Sequence, residues 1–423
     1  MDMSRSIFFS VGEPSGDQHA ARLADALRQA DPSVHLRGFG GPAMAAAGCH
    51  LDLDLTRHAV VGLLEVLPKL RDFFRFADEA EQVFRDSSVD AVVLVDFPGF
   101  NWHIAKRAKR YGIPVYYYCP PQLWAWGGWR VAKMRRLVDH VLAVLPIEED
   151  YFQTAGIPTT LVGHPFFDAV AEKPLDPMVM AGLRRIAKDD RGAVAVLPGS
   201  RSHEVHRNFP IQLAAIRRLH QMHPDAHFMV AAYRNDQCLW CRDQLSDSDR
   251  DLPIHFFVGA TSEIIQFSRC AMMVSGSVSL ELMARQTPAA VTYRIGRLLH
   301  EFGKRVVNIN SITLPNLMSE RNLYPEMISV GPIEPAVDFL TESIDAMLGD
   351  EFYFRRLKAD LAELRNRVAL PGATKRAAEF LSEQITSDVR SGDQTHQFGD
   401  AVGTVGSVTE RSRRVPASDR RAA

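Results

Sequence analysis

The chain has 423 residues, 46% hydrophobic and 24% charged, with a net charge of −2 at pH 7. That length is long for one core and predicts two domains, while the near-neutral balance gives no electrostatic case for a nucleic-acid partner. Five scattered cysteines fit a reducing compartment, no signal-peptide pattern is read, and no window approaches the roughly 18 apolar residues of a membrane span.

The first apolar run, residues 7–11, ends in the turn of SVGEPSGD, and a helical pattern over 17–30 follows. Gly12 and Gly16 do not fit G-x-G-x-x-G, and no G-K-[ST] follows, so neither the dinucleotide nor the Walker signature is present. The turn nevertheless sits at the carboxyl end of a strand, where open α/β sheets bind ligands. Further strands are expected at 34–39, 91–95, 115–118 and 140–144, with helices at 101–111 and 131–137. Turn chemistry in VGHPFFD and EKPLDP marks a boundary, giving a first domain over 1–165. The rhythm restarts with strands at 193–197, 227–231, 254–258, 271–274 and 289–292 and helices at 204–223 and 277–285, a second domain over 166–350. This alternation predicts an α/β protein of two Rossmann-like domains facing across a cleft. Helices over 351–386 follow, and the polar, Gly/Ser/Thr-rich stretch 387–423 reads as a disordered tail. Cys238 and Cys241 form a lone C-x-x-C without a second pair, which reads as plain helix positions rather than a zinc or redox site.

Two turns in the second half carry chemistry. In AVLPGSRSHEV, Gly199 lets backbone approach a ligand, Ser200 can donate, and Arg201 offers a planar fork suited to diphosphate, against the plainer reading of a tight turn with a solvated arginine. In MMVSGSVSLELMA, Ser275, Gly276 and Ser277 would expose N–H groups at a helix start, a ready anion site. Glu281 lies one helical turn further on, where it could accept from ribose hydroxyls or be an ordinary surface carboxylate. Together they describe a nucleotide-diphosphate pocket.

At this point an ordered set of motifs resembles one family. SVGEPSGD, GFGGPAM (38–44), VGLLEVLPKL (61–70), WAW (124–126), VGHPFFD (162–168), VLPGSR (196–201), SGSVSLE (275–281), LPNLM (314–318) and PE (325–326) are similar to the lipid-A-disaccharide synthases, inverting glycosyltransferases of the B-type fold. The resemblance covers roughly residues 6–381. It implies transfer of 2,3-diacylglucosamine from its UDP conjugate to 2,3-diacylglucosamine 1-phosphate, giving a β-1,6-linked disaccharide 1-phosphate and UDP. UDP is then expected in the second domain, with Asn316 on that side. The acceptor is expected in the first, along Gly12, Ser15, Gly16, Asp17, Asn101 and Trp124. No metal or other cofactor is expected, since Arg201 and the Ser275–Ser277 turn can meet the departing diphosphate. The family also implies a last helix that returns to the first domain; a homodimer is left open.

Three positions depart from the family pattern. Gly99 stands where a carboxylate has been assigned as the base, CPPQLWAW replaces SPSVWAW, and Ser329 replaces a glutamine. A base is still required for the acceptor hydroxyl, and Asp96 and Glu13 both follow strand ends facing the expected cleft. Asp96 is favoured because it ends the apolar run AVVLV, where burial raises a carboxylate's pKa, although it could merely cap the turn before Asn101. Acylated substrates also imply contact with the cytoplasmic face of the inner membrane. The segment 58–80 has a surplus of apolar residues, with Val60, Leu63, Leu64, Leu67, Phe73 and Phe74 as the expected contacts among Lys69, Arg71 and Arg75; the alternative is a buried helix bent at Pro68. Trp102, Trp124, Trp126 and Trp129 could join an acyl groove or the core. Two rivals remain: another UDP-sugar enzyme of the same fold, against which GEPSGD with WAW argues, and a catalytically silent binding protein, suggested by Gly99 and Ser329.

Overall fold

The computed structural model describes residues 5–58, 70–188, 191–297, 300–301, 311–319 and 321–396, with backbone alone described at 70 and over 386–396. Seven parallel strands form the first sheet: β1 (Ser6–Val11), β2 (His35–Gly40), β3 (His50–Asp54), β4 (Ala91–Val95), β5 (Val115–Tyr118), β6 (His140–Ala143) and β7 (Thr159–Leu161). Their order is β3-β2-β1-β4-β5-β6-β7. The second sheet has six parallel strands: β8 (Ala193–Leu197), β9 (His227–Ala232), β10 (Ile254–Val258), β11 (Cys270–Val274), β12 (Ala289–Arg294) and β13 (Glu326–Ser329), in the order β10-β9-β8-β11-β12-β13. Both sheets change direction between their first strand and the fourth laid down, at β1/β4 and β8/β11. In open α/β sheets the ligand crevice forms outside the carboxyl ends at such a switch point.

Central strands are continuous apolar runs because helices cover both faces. Ala91–Val95 and Ala193–Leu197 are buried throughout. The strands that the apolar pattern does not reveal, β3, β7 and β13, are all edge strands. HLDLD, TTL and EMIS are short and partly exposed, so no apolar run marks them.

The first helix, Pro14–Ala30, starts three residues earlier than the apolar periodicity indicates. Proline is accepted in a first turn because its missing N–H has no helical partner there. The last helix, Ala373–His396, packs on the first domain: Ala377, Ala378, Leu381 and Ile385 share a core with Leu23 and Leu27 of the first helix. Asp168 fixes its start, its carboxylate accepting from the N–H groups of Gly372 (2.7 Å), Ala373 (3.2 Å) and Thr374 (2.8 Å). Arg376 Nε adds a bond to the Val162 carbonyl at 2.8 Å. Residues 387–396, expected in a disordered tail, continue this helix; a polar sequence can extend a helix already nucleated by a packed stem. Residues 397–423 lie outside the described residues.

Candidate functional site

The β4 end carries the most unusual backbone of the first domain. Asp96 and Phe97 both adopt left-handed conformations, at φ 45° and 46°. Such a geometry costs a non-glycine residue on the order of 1–3 kcal/mol and persists only where its surroundings enforce it. Here the enforcement is visible. The Asp96 carbonyl accepts from Tyr117 Oη at 2.8 Å and from Asn101 Nδ2 at 2.7 Å. Asn101 is fully buried, with further bonds to the carbonyls of Ser10 and Val95 and an Oδ1 that accepts from Ser10 Oγ at 2.7 Å. The Phe97 ring covers Gly12 so closely that a Cβ there would fall 2.1 Å from a ring carbon. Only glycine fits.

This turn brings the two candidate bases together. Burial raises the Asp96 pKa above the ordinary carboxylate range, partly opposed by the Phe97 N–H. Glu13 opens the first helix with no side-chain capping bond. Its pKa is also raised, chiefly by burial and then by the Asp96 charge, while Arg201 of the second domain pulls it down. Two carboxylates and a cation from the opposite domain thus share one electrostatic neighbourhood. Gly16 borders it, a Cβ there lying 3.9 Å from Asp96 Cβ, and Ser15 is exposed nearby.

Several expected contacts have structural duties instead. Asp17 is buried, and its carboxylate accepts from Gly41 (2.8 Å), Ala43 (2.9 Å) and Met44 (3.2 Å) at the start of the Pro42–Ala46 helix, so it is not free for substrate. Asn101 serves the Asp96 turn with both ends of its amide. Asn316 is likewise enclosed. Its Oδ1 accepts from Leu323 N (2.8 Å) and Tyr324 N (2.9 Å), and its Nδ2 donates to the Tyr324 carbonyl (2.7 Å), to Asn322 and to Glu326. Trp124 is half-buried, its indole N–H beside Glu148 without full hydrogen-bond geometry.

In the second domain the two expected anion turns differ. Gly199 has φ 124°, which favours glycine, and a Cβ there would meet Glu204 Cβ at 2.7 Å. The Glu204 carboxylate folds back over the start of the Ser202–Met222 helix. It accepts from Ser200 N (3.3 Å) and Arg201 N (3.2 Å) and pairs with Arg201 Nη1 at 3.1 Å. The N–H groups of Ser200 and Arg201 are therefore occupied by the helix's own glutamate and not open to a phosphate. The Arg201 side chain remains 55% exposed. At Ser275–Ser277 the geometry is open: Gly276 and Ser277 are exposed before the Val278–Arg285 helix, and a Cβ on Gly276 would meet nothing within 4 Å. Ser275 Oγ is engaged by the Ile312 carbonyl. Glu281 is mostly buried and paired with Arg285 Nε at 3.0 Å, which reduces its freedom to accept from ribose.

A cavity of about 900 Å³ lies between Trp124, Gly128, Val131, Ile147 and Tyr151 of the first domain and Ser311, Asn316, Leu317 and Arg321 of the second. Glu13, Asp96 and Arg201 are outside its lining. Of the expected membrane contacts, Val60, Leu63, Leu64 and Leu67 lie outside the described residues. Phe73 is not a surface contact: it packs against Phe76, Phe97 and Phe100. Phe74 is 50% exposed with its ring edge-on to His103. Among the described residues no helix is long and apolar enough to cross a membrane.

Sequence reasoning missed Tyr117, whose only signal is its place in the aromatic run VYYY, and Arg294. Arg294 donates to Ser329 Oγ at 3.1 Å, so the serine at the departing family position is buried and bonded. Cys238 and Cys241 are both buried helix residues.

Comparison with known proteins converges on one family. Residues 7–333 match the family model described as lipid-A-disaccharide synthetase. The lipid-A-disaccharide synthase of Syntrophus aciditrophicus is 34% identical, covering 89% of this chain and 96% of its own. That of Coxiella burnetii is 30% identical over 91% of this chain and 100% of its own. Among solved structures, the S. aureus MnaA–UDP co-structure superposes with a TM-score of 0.63 at 13% identity, over 91% of this chain and 97% of that one. UDP-GlcNAc 2-epimerase from Neisseria meningitidis gives 0.58 at 13%, over 90% and 99%; these distant likenesses carry the two-domain fold alone. With the family model spanning most of the chain and close relatives matching nearly end to end, the protein belongs to the lipid-A-disaccharide synthase family.

Proposed function

We propose that the chain joins two acylated glucosamines across the cleft between its sheets, with Asp96 as general base. The sugar C1–O bond to UDP breaks as the acceptor's 6-hydroxyl oxygen bonds to C1, and the hydroxyl proton passes to a carboxylate. The observation that carries this reading is the enforced left-handed turn at Asp96, which holds a partly buried carboxylate within electrostatic reach of Glu13, a group that Arg201 also reaches. A raised pKa makes Asp96 a stronger proton acceptor than an exposed aspartate, provided the pH exceeds that pKa. Gly99 adds nothing to this turn, yet the space beyond it is open.

For the donor, the open helix start at Ser275–Ser277 supports the UDP diphosphate, with the exposed Arg201 completing the charge. A UDP-bearing relative in fold, MnaA, is consistent with that nucleotide. We place the protein at the cytoplasmic face of the inner membrane, which the exposed Phe74 of the Leu70–Asp86 helix supports.

The decisive experiment incubates the purified full chain with both acylated substrates. Disaccharide 1-phosphate and UDP are expected; binding without product would favour the silent homologue, and epimerised UDP-sugar the other enzyme reading. Asp96→Asn should lower kcat by about 10²–10⁴-fold, the range for a positioned base, with UDP affinity nearly unchanged. The wild-type rate should rise with pH through a limb above the ordinary carboxylate range, because the base acts deprotonated and its pKa is raised. Retention of more than about a tenth of turnover in Asp96→Asn, too small a loss for a base, would shift the role to Glu13.

A further inference from the structure

Four cations gather on the first domain without acidic partners among the described residues. Lys106 lies on the Pro98–Arg110 helix, Arg130 ends the Gly128–Arg130 turn, and Lys133 and Arg136 lie on the Val131–Leu137 helix. Burial and then the charges of Arg136, Lys106 and Arg130 together lower the Lys133 pKa, so the four share one field. Among the described residues none of them forms a salt bridge. Their neighbours behave otherwise: Arg107 pairs with Asp78 and Glu81, Lys109 with Asp139 and Arg110 with Glu81. Crowding like charges raises the free energy of the fold, and an anionic ligand would relieve it.

The cluster is linked to the backbone of the Asp96 turn through two aromatic side chains. Lys133 Nζ stands 5.3 Å from the centre of the Trp102 ring, and Trp102 meets Tyr117 edge-on at 5.9 Å. Tyr117 in turn donates to the Asp96 carbonyl. Arg130 lies 4.2 Å from the Trp126 ring centre and 5.8 Å from that of Trp129, and its Nη2 reaches the Trp126 carbonyl at 3.4 Å. Stacking and long bonds to the Gly127 and Trp126 carbonyls pre-position the guanidinium, and its Nη1 has no partner among the described residues. Trp126 and Trp129 are 48% and 71% exposed, flat amphipathic surfaces at the rim of the cation cluster.

From this geometry we infer that Arg130 and Lys133 hold the anomeric phosphate of the acceptor, one sugar ring away from the hydroxyl that Asp96 deprotonates. The inference rests on the proposed reaction and extends it: the 1-phosphate becomes the feature by which the enzyme orients its acceptor. A phosphate bound this far from the reacting atoms contributes alike to the ground and transition states, so its loss appears in KM and leaves kcat in place. The phosphate of an anionic bilayer lipid offers the same chemistry, and the test separates the two sources.

The test compares wild type with Arg130→Gln/Lys133→Gln, using the phosphorylated acceptor and its 1-dephospho analogue in detergent micelles. Direct calorimetric binding of each acceptor is measured alongside turnover. The variant should raise KM and Kd for the phosphorylated acceptor by about 10-fold or more, as for lost charged hydrogen bonds, and leave the dephospho values unchanged. Arg130→Lys/Lys133→Arg, which keeps both charges, should recover most of the loss. Equal weakening for both acceptors would overturn the inference, as would unchanged acceptor binding with loss of sedimentation on vesicles containing phosphatidylglycerol. Wild-type protein that binds acceptors yet makes no product would sink the proposed reaction, while the calorimetric comparison would still decide the phosphate site.

Discussion

Two neighbouring junctions of the second sheet make an instructive pair. After β8 and after β11 the chain runs from a buried strand through a Gly/Ser turn into a helix, and from the residues alone both look ready for phosphate. At the first, Glu204 stands three residues beyond Arg201 and turns back to occupy the free N–H groups. At the second, the residue three beyond Ser277 is Leu280, which faces the core, and the helix start stays open. Glu281 comes one position too late and pairs with Arg285 instead. The first domain repeats the closed form after β6, where Glu148 accepts from Val144 N (3.0 Å) and Leu145 N (3.2 Å). A helix start binds an external anion only if the chain does not supply its own. The third helical position decides which, as the capping box explains.

The sharpest probe of a closed junction is Glu148. Burial outweighs its backbone hydrogen bonds and raises its pKa from 4.5 to about 7. A carboxylate whose folded pKa is raised binds its proton more tightly in the native state, so its contribution is complete below the unfolded value and lost as pH rises through the folded one. Between pH 4.5 and about 7, wild-type stability should fall by roughly 3 kcal/mol from this residue, at about 1.4 kcal/mol per pKa unit. Glu148→Gln should flatten that slope in denaturant titrations across the window; an unchanged slope would mean that the group titrates normally.

The open junction is tested by closing it. Gly276→Asp places a carboxylate where the structure has room. UDP affinity should drop by about 2–3 kcal/mol, for a like charge about 6 Å from the diphosphate at an effective dielectric constant of about 20. Thermal stability should hold or rise slightly, because an acidic residue suits a helix N-terminus. Calorimetry showing full UDP affinity in this variant would move the diphosphate elsewhere.

The smallest effect comes from opening a closed junction. Glu204→Ala should cost about 1 kcal/mol of stability, the usual loss for a helix cap. UDP affinity should stay the same or improve, since Ser200 N, Arg201 N and the guanidinium become free. A tenfold loss of UDP affinity would instead show that Glu204 holds Arg201 in its binding position, and the contrast between the junctions would be weaker than drawn.

The sequence by itself determined the architecture and the places where ligands could act. Continuous apolar strands such as Ala91–Val95 can exist only between two helical layers, and the regular strand–helix alternation leaves the parallel sheet as its solution. Edge strands escaped because half-exposed β3, β7 and β13 need no apolar run. Glu13, Asp96, Arg201 and the Ser275–Ser277 turn could be picked out because each follows a strand end. What tertiary structure alone decided was which polar groups remain free. Asp17, Asn101 and Asn316 are residue types suited to sugars, yet folding buries them and engages their polar atoms in the protein's own hydrogen bonds. Phe73 and Phe74 are adjacent and alike, but one faces Phe97 and the other solvent. The reason is physical: local sequence sets helix and strand through nearby backbone and side-chain preferences, whereas a polar atom's availability depends on which donors and acceptors the folded chain brings to it, from a few residues away for Asn316 to some ninety for Asn101.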